Sequence, residues 1–175
     1  MAEEVQSSAD DITRLLHERA AQLARRERGS DEATLLPHVA FQAAGQQFAV
    51  PLRYVVYASR LRHLTPIPGG PPYLLGICAL AGHLVSVLDV AAFLDLRQRG
   101  LSDVACCLVV SYEGRELGLC AERLLGIEDV PAAAISPWQG GSSMIPQMAT
   151  LPKLRLLLLD LPQLLSDPRL QEERQ

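Results

Sequence analysis

Between Leu64 and Leu96 the chain reads LTPIPGGPPYLLGICALAGHLVSVLDVAAFLDL, and the start of this stretch excludes most regular structure. Pro66, Pro68, Pro71 and Pro72 fix φ and offer no backbone donor, so with Gly69 and Gly70 they demand a loop or a sheet edge. Two apolar runs follow, Tyr73 to Leu80 and His83 to Val90, separated only by Ala81 and Gly82. That spacing predicts a tight β-hairpin. Gly82 supplies a positive φ without strain, whereas the Cβ of Ala81 opposes one. The expected connection is therefore a type II turn with Gly82 at its third position rather than a primed turn, with residue 81 pointing outward from the tip. A membrane span is rejected because His83, Ser86, Asp89 and Asp95 interrupt the run well short of the roughly 20 apolar residues that a spanning helix needs.

The rest of the composition narrows the class. A chain of 175 residues with 49% hydrophobic content has enough apolar surface for one domain of ordinary size, made of two small lobes. A formal net charge of -4 lacks the basic footprint that nucleic acid requires. Met1 to Asp11 is acidic and polar, without a secretory or lipidation signal, which predicts a cytoplasmic protein with no direct membrane insertion. Cys78, Cys106, Cys107 and Cys120 lie in apolar runs without C-x-x-C spacing and are read as buried free thiols. His17, His38, His63 and His83 have no companion at metal-ligand spacing. No catalytic or phosphate-binding motif is present, so neither an enzyme nor a cofactor is expected. Asp89, at the end of an apolar run, is expected to bond backbone donors where a strand passes into a helix.

Taken in order, Ser8 and Asp11 form a capping box ahead of Ile12, Leu15, Leu16, Ala20 and Leu23, the stripe of an amphipathic helix. That stripe suits either the chain's own core or a partner. Residues 1–34 are thus an N-terminal helix and linker. Val39 to Val50 reads as strand, turn at Gly45, strand; Leu52 to Ala58 as one or two helical turns; and Arg60 to Leu64 as a one-face strand. After the central hairpin, Val90 to Leu96 reads as a short helix. Val104 to Ser111 and Glu116 to Cys120 read as strands about a turn at Glu113-Gly114, and Ala121 to Val130 as a strand bent at Gly126. Pro131 to Gln147 reads as a loop whose Trp138 caps a lobe, Leu154 to Leu159 as a core strand, and Leu161 to Leu165 as a terminal helix before a frayed tail, 171–175. Arg53, Arg60 and Arg62 form a basic cluster, read as a solvated face with an acidic partner as the alternative.

In this order the residues resemble the CheW family, the small adaptors that couple chemoreceptors to the CheA histidine kinase. The matching positions are Phe48-Ala49-Val50 after the Gly45 turn, Val55, Thr65-x-Ile67-x-x-x-Pro71, Gly76, Leu80-x-Gly82 and Val87-Leu88-Asp89. The likeness covers about residues 38 to 166. It implies a mainly β fold of two small, five-stranded, SH3-like barrels with short helices, within a domain at 35–170, lobe 1 being about 38–96 and lobe 2 about 103–166.

The same resemblance implies two partners: the helical tip of a chemoreceptor's cytoplasmic region, and the regulatory domain of a CheA-type histidine kinase. Val55, Tyr57, Leu80, Ala81 and His83 are the expected receptor-facing residues; no kinase-facing residue is assigned. Recruitment to membrane-associated receptor arrays follows. This sequence departs from the family's usual pattern at Ala81, where the hairpin motif N-L-R-G has arginine, at Tyr57, where glutamate is common, and at Ser86, where proline is usual. Those departures leave two alternatives open. One is a scaffold or competitor that binds the kinase without receptor coupling. The other, of a different class, is a small β-barrel protein or enzyme with a ligand pocket between its lobes.

Overall fold

Three hairpins, each closed by two residues, organise the fold, which is described from a computed structural model over residues 35–96 and 106–170. β1 (Leu35–Ala43) and β2 (Gln46–Pro51) turn at Ala44-Gly45. β4 (Leu74–Leu80) and β5 (His83–Leu88) turn at Ala81-Gly82. β6 (Cys106–Tyr112) and β7 (Arg115–Ala121) turn at Glu113-Gly114. In all three turns both central residues have positive φ, including Ala44 at 48°, Ala81 at 48° and Glu113 at 50°. The type II turn expected at Ala81 is therefore corrected to a primed one. The right-handed twist of the paired strands matches a primed turn, and this outweighs the cost, about 1 kcal/mol, of placing a Cβ in the left-handed region.

Pro51 ends β2, and a single 3-10 turn at Leu52–Tyr54 redirects the chain into β3 (Val55–Arg60). This replaces the helix expected across Leu52 to Ala58; of the strand expected at Arg60 to Leu64 only Arg60, the end of β3, is in a strand, and an isolated bridge, Thr65 to Ile77, follows it. The pattern recurs: Pro131 ends β8 (Arg123–Pro131), a 3-10 turn spans Ala132–Ala134, and β9 (Ile135–Pro137) follows. The supposed loop from Pro131 to Gln147 thus contains a strand. β10 (Gln147–Thr150) and β11 (Arg155–Leu158) complete the sheet strands. Two short helices, α1 (Val90–Phe93) and α2 (Leu161–Leu165), are each capped by an aspartate whose Oδ1 accepts a 3.0 Å bond, Asp89 from Ala92 N and Asp160 from Gln163 N. Asp89 therefore has the backbone-bonding role expected of it. The N-terminal amphipathic helix and the tail lie outside the described residues, as do residues 97–105.

The strands form two sheets, one ordered β8-β1-β2-β11-β10-β9 and the other β3-β6-β7-β5-β4. Each curls until its end strands approach: β8 and β9 are separated by three residues, and β3 and β4 are connected through the Thr65 bridge. These barrels are not the contiguous lobes expected at 38–96 and 103–166. The first half contributes β1 and β2 to one sheet and β3 to β5 to the other, while the second half contributes β6 and β7 to the latter and β8 to β11 to the former. The first barrel also has six strands rather than five. Two parallel pairings, β5 with β7 and β11 with β2, join the halves.

Strand alternation then yields three cores. Ala40, Ala49, Val130, Ala149, Leu156 and Leu158 fill the first barrel. Cys78, Leu80, Val85, Cys107, Val109 and Cys120 fill the second, together with Val87. The opposite faces of the same strands, through Val39, Phe41, Phe48, Leu88, Leu108 and Leu119, meet in a central cluster that both helices and Trp138 also pack against. Phe41 stacks on Phe48 at 5.6 Å, adding about 1 kcal/mol beyond burial. Central strands buried on both faces explain why runs such as Cys106 to Val110 are continuously apolar.

Candidate functional site

The candidate surface lies at the rim of the second barrel. In β3, Val55 pairs with Val110 and Tyr57 with Val109, so Val56 is an extra residue bulged out of the ladder. The bulge turns the flanking side chains inward: Val55 packs on the central cluster and Tyr57 on the second-barrel cluster, while Val56 remains 41% exposed. The Tyr57 hydroxyl donates to the Leu80 carbonyl at 3.2 Å. Burial, with Glu116 nearby, raises the phenol above its usual range and keeps it a donor.

On β4 and β5 the pleat decides exposure. Leu80 points into the barrel and is only 5% exposed; opposite it, His83 is exposed, as is Ala81 at the tip. One step along, Ala79 and Leu84 face each other on the outer surface, and Leu84 is 78% exposed. Beside this pair, the chain from Arg62 to Thr65 follows the outer edge of β4. The Arg62 carbonyl accepts from Cys78 Sγ at 2.9 Å, and Thr65 exchanges two 2.8 Å bonds with Ile77. Arg62 and His63 on that segment are exposed, as is His83, which precedes Leu84 on β5.

Of the five residues expected to face a receptor, Ala81 and His83 are exposed, Val55 and Tyr57 are half-buried, and Leu80 belongs to the core. Leu84 and Val56, each next in sequence to an expected residue, are large apolar side chains that the structure leaves exposed. Period-2 alternation could have found Leu84, since Val85 and Val87 turn into the barrel and leave Leu84 and Ser86 on the other face, opposite Ala79 and Ile77. Val56 had no such signal, because its exposure comes from the bulge. Of the basic cluster, Arg53 is engaged elsewhere, 4.6 Å over the ring of Tyr54, which meets Tyr112 edge-on at 5.7 Å.

Among the described residues no three His, Cys, Asp or Glu side chains are grouped to hold a metal ion, and no helix is long and apolar enough to cross a membrane. What the rim offers chemically is apolar contact, backbone edges and peripheral positive charge, the equipment of a protein-docking module.

The family model of the CheW-like domain matches residues 37–169, and the chain belongs to that family. It is 27% identical over 97 residues to Protein FrzA of Myxococcus xanthus, covering 55% of this chain and 61% of that protein. It is 25% identical over 80 residues to the chemotaxis protein CheW of Bacillus subtilis (strain 168), covering 46% and 51% respectively. The matches therefore span about half to under two thirds of these curated relatives. In fold, the chain is similar to the crystal structure of the scaffolding protein TtCheW from Thermoanaerobacter tengcongensis, with a TM-score of 0.67 at 19% identity, covering 77% of this chain and 95% of that one.

Proposed function

We propose that this protein is a non-enzymatic coupling adaptor of a chemotaxis-type signalling pathway, binding the cytoplasmic helical tip of a chemoreceptor and the regulatory domain of a CheA-type histidine kinase. It works in the cytoplasm, is recruited to membrane-associated receptor arrays and uses no cofactor. The observation that carries this reading is Leu84, 78% exposed beside the hairpin tip on a barrel whose interior is already filled. A leucine so placed gains by burial against another protein, on the order of 2 kcal/mol for a full side chain. Membership of the CheW-like family and similarity to proteins named for chemotaxis support the class.

Simultaneous binding is the mechanism: holding kinase and receptor on one small domain raises their effective concentration and lets a change in one bias the other. Ala81, where arginine is usual, makes the receptor contact apolar rather than ionic, and the same change favours a second reading, a scaffold that binds the kinase alone. Calorimetric titration against the kinase regulatory domain and then a receptor-tip helical hairpin decides between them. Binding to both at micromolar affinity, about -8 kcal/mol, supports the adaptor; binding to the kinase alone supports the scaffold, and binding to neither overturns both.

A further inference from the structure

Cys78, Cys107 and Cys120 share the buried interior of the second barrel as free thiols. Cys107 on β6 and Cys120 on β7 stand directly opposite one another. Their hairpin closes through the two residues Glu113-Gly114, which makes Tyr112 and Arg115 a hydrogen-bonded pair. Hydrogen-bonded and non-hydrogen-bonded pairs alternate along the unbroken register, so Cys107 and Cys120 form a non-hydrogen-bonded pair. At such pairs the Cα atoms lie about 4.5 Å apart, within the roughly 4.4–6.8 Å that a disulfide spans.

Gly118 leaves the sulfur room to move. Two residues before Cys120 on the same face, it lies beneath the Cys107 thiol, and a Cβ there would sit 2.5 Å from Sγ. Rotation about χ1 of Cys107 toward Cys120 needs no change of strand register. The remaining cysteines are engaged elsewhere: Cys78 Sγ donates to the Arg62 carbonyl at 2.9 Å, and Cys106 packs on the central cluster, its Sγ donating to the Ala121 carbonyl at 3.5 Å.

We propose that Cys107 and Cys120 are a redox latch, closed by a peroxide-class oxidant into a cross-strand disulfide inside the barrel that carries the β4–β5 tip. The peroxide O–O bond breaks as one sulfur is oxidised to sulfenic acid, releasing one water. The second thiol then attacks that sulfur, forming the S–S bond and releasing another water. Two S–H bonds are lost, one S–S bond is gained, and hydrogen peroxide is reduced to water. Burial holds both thiols protonated, pushing Cys107 and Cys120 up to about 12, so the closed barrel resists oxidation and the latch responds to its opening.

The test is treatment of the full chain with hydrogen peroxide, alkylation, and peptide mass mapping without reduction. Before alkylation the oxidised chain is expected to be lighter by about 2 Da, and the map to show a Cys107–Cys120 cross-link that reverts with dithiothreitol and forms faster in urea below the unfolding transition. Cys106→Ser and Cys78→Ser should retain the cross-link, the former also separating Cys106 from its neighbour in the map. Cys107→Ala should lose it; should that variant fail to fold, the map of the unaltered chain decides. A cross-link that uses Cys78 or Cys106, or stepwise oxygen addition without any cross-link, overturns the proposal.

Discussion

The Tyr57 hydroxyl donates to the main-chain carbonyl of Leu80 at 3.2 Å, connecting β3 and β4, the two strands at opposite ends of the second sheet. One side chain thus ties the seam of the barrel to the tip of the hairpin proposed to meet a partner. Tyr57→Phe keeps the ring and removes the donor, leaving the Leu80 carbonyl to find water. Urea denaturation should show a loss of about 1 kcal/mol; an unchanged midpoint would mean that the bond contributes nothing to closure.

Ala81 holds a φ of 48° that its side chain disfavours. Asparagine tolerates that conformation better, so Ala81→Asn should raise stability by about 1 kcal/mol. Thermal melts of Ala81→Asn and Ala81→Val should move in opposite directions, because a β-branched residue deepens the strain. Equal shifts would argue against backbone strain at the tip.

Leu84 is a surface residue of the fold, and Leu84→Ser should leave the melting temperature nearly unchanged. If the rim is the docking face, the same change should weaken binding to a receptor-tip hairpin about tenfold, roughly 1.4 kcal/mol. In the opposite sense, Ala81→Arg should tighten that binding. Unaltered affinity in both variants would move the contact off this rim.

His38 is buried, 5% exposed, and its Nδ1 lies 2.7 Å from the Leu36 carbonyl, which can only accept; Nδ1 therefore carries the proton of the neutral ring. Burial lowers its pKa below 6.5, partly opposed by that hydrogen bond and assisted by Arg53. The unfolded chain therefore takes up the proton first. Its stabilising contribution is fully present above the unfolded value and is lost as pH falls through the folded one. Urea midpoints measured from about pH 7 to about pH 5 should decline more steeply for the native chain than for His38→Phe.

Gly140 supports the only tryptophan: a Cβ at this position would overlap the Trp138 indole. Gly140→Ala should expel the ring from the central cluster, red-shift its emission and cost about 2 kcal/mol. An unshifted spectrum would show that the loop accommodates the methyl group.

The three hairpins were legible because each pairs residues close in sequence: apolar runs of strand length, two turn residues, and alternation that marks faces. The aspartate cap after Leu88 was legible for the same reason. Residue patterns along the strands also pointed to the family, and hence to two barrels. Local propensity at Ala81 favours a type II turn, and the twist of the strands on either side selects the primed one instead. At the tip Ala81 is exposed, as the hairpin reading expects, whereas the inward face of Leu80 depends on barrel closure and is not legible from the hairpin alone.

What the sequence by itself determined is the strands of the three hairpins, the positions of their tight turns and the apolar, largely uncharged character of the central hairpin. Only the tertiary structure decided how the strands are shared: which hairpin belongs to which barrel, that Cys107 faces Cys120 within a filled interior, and that Val56 rather than Val55 points outward. The physical reason is range. Antiparallel hairpin contacts are encoded by neighbours, while the parallel pairings of β5 with β7 and β11 with β2, and the bulge in β3, arise from joining segments far apart in the chain.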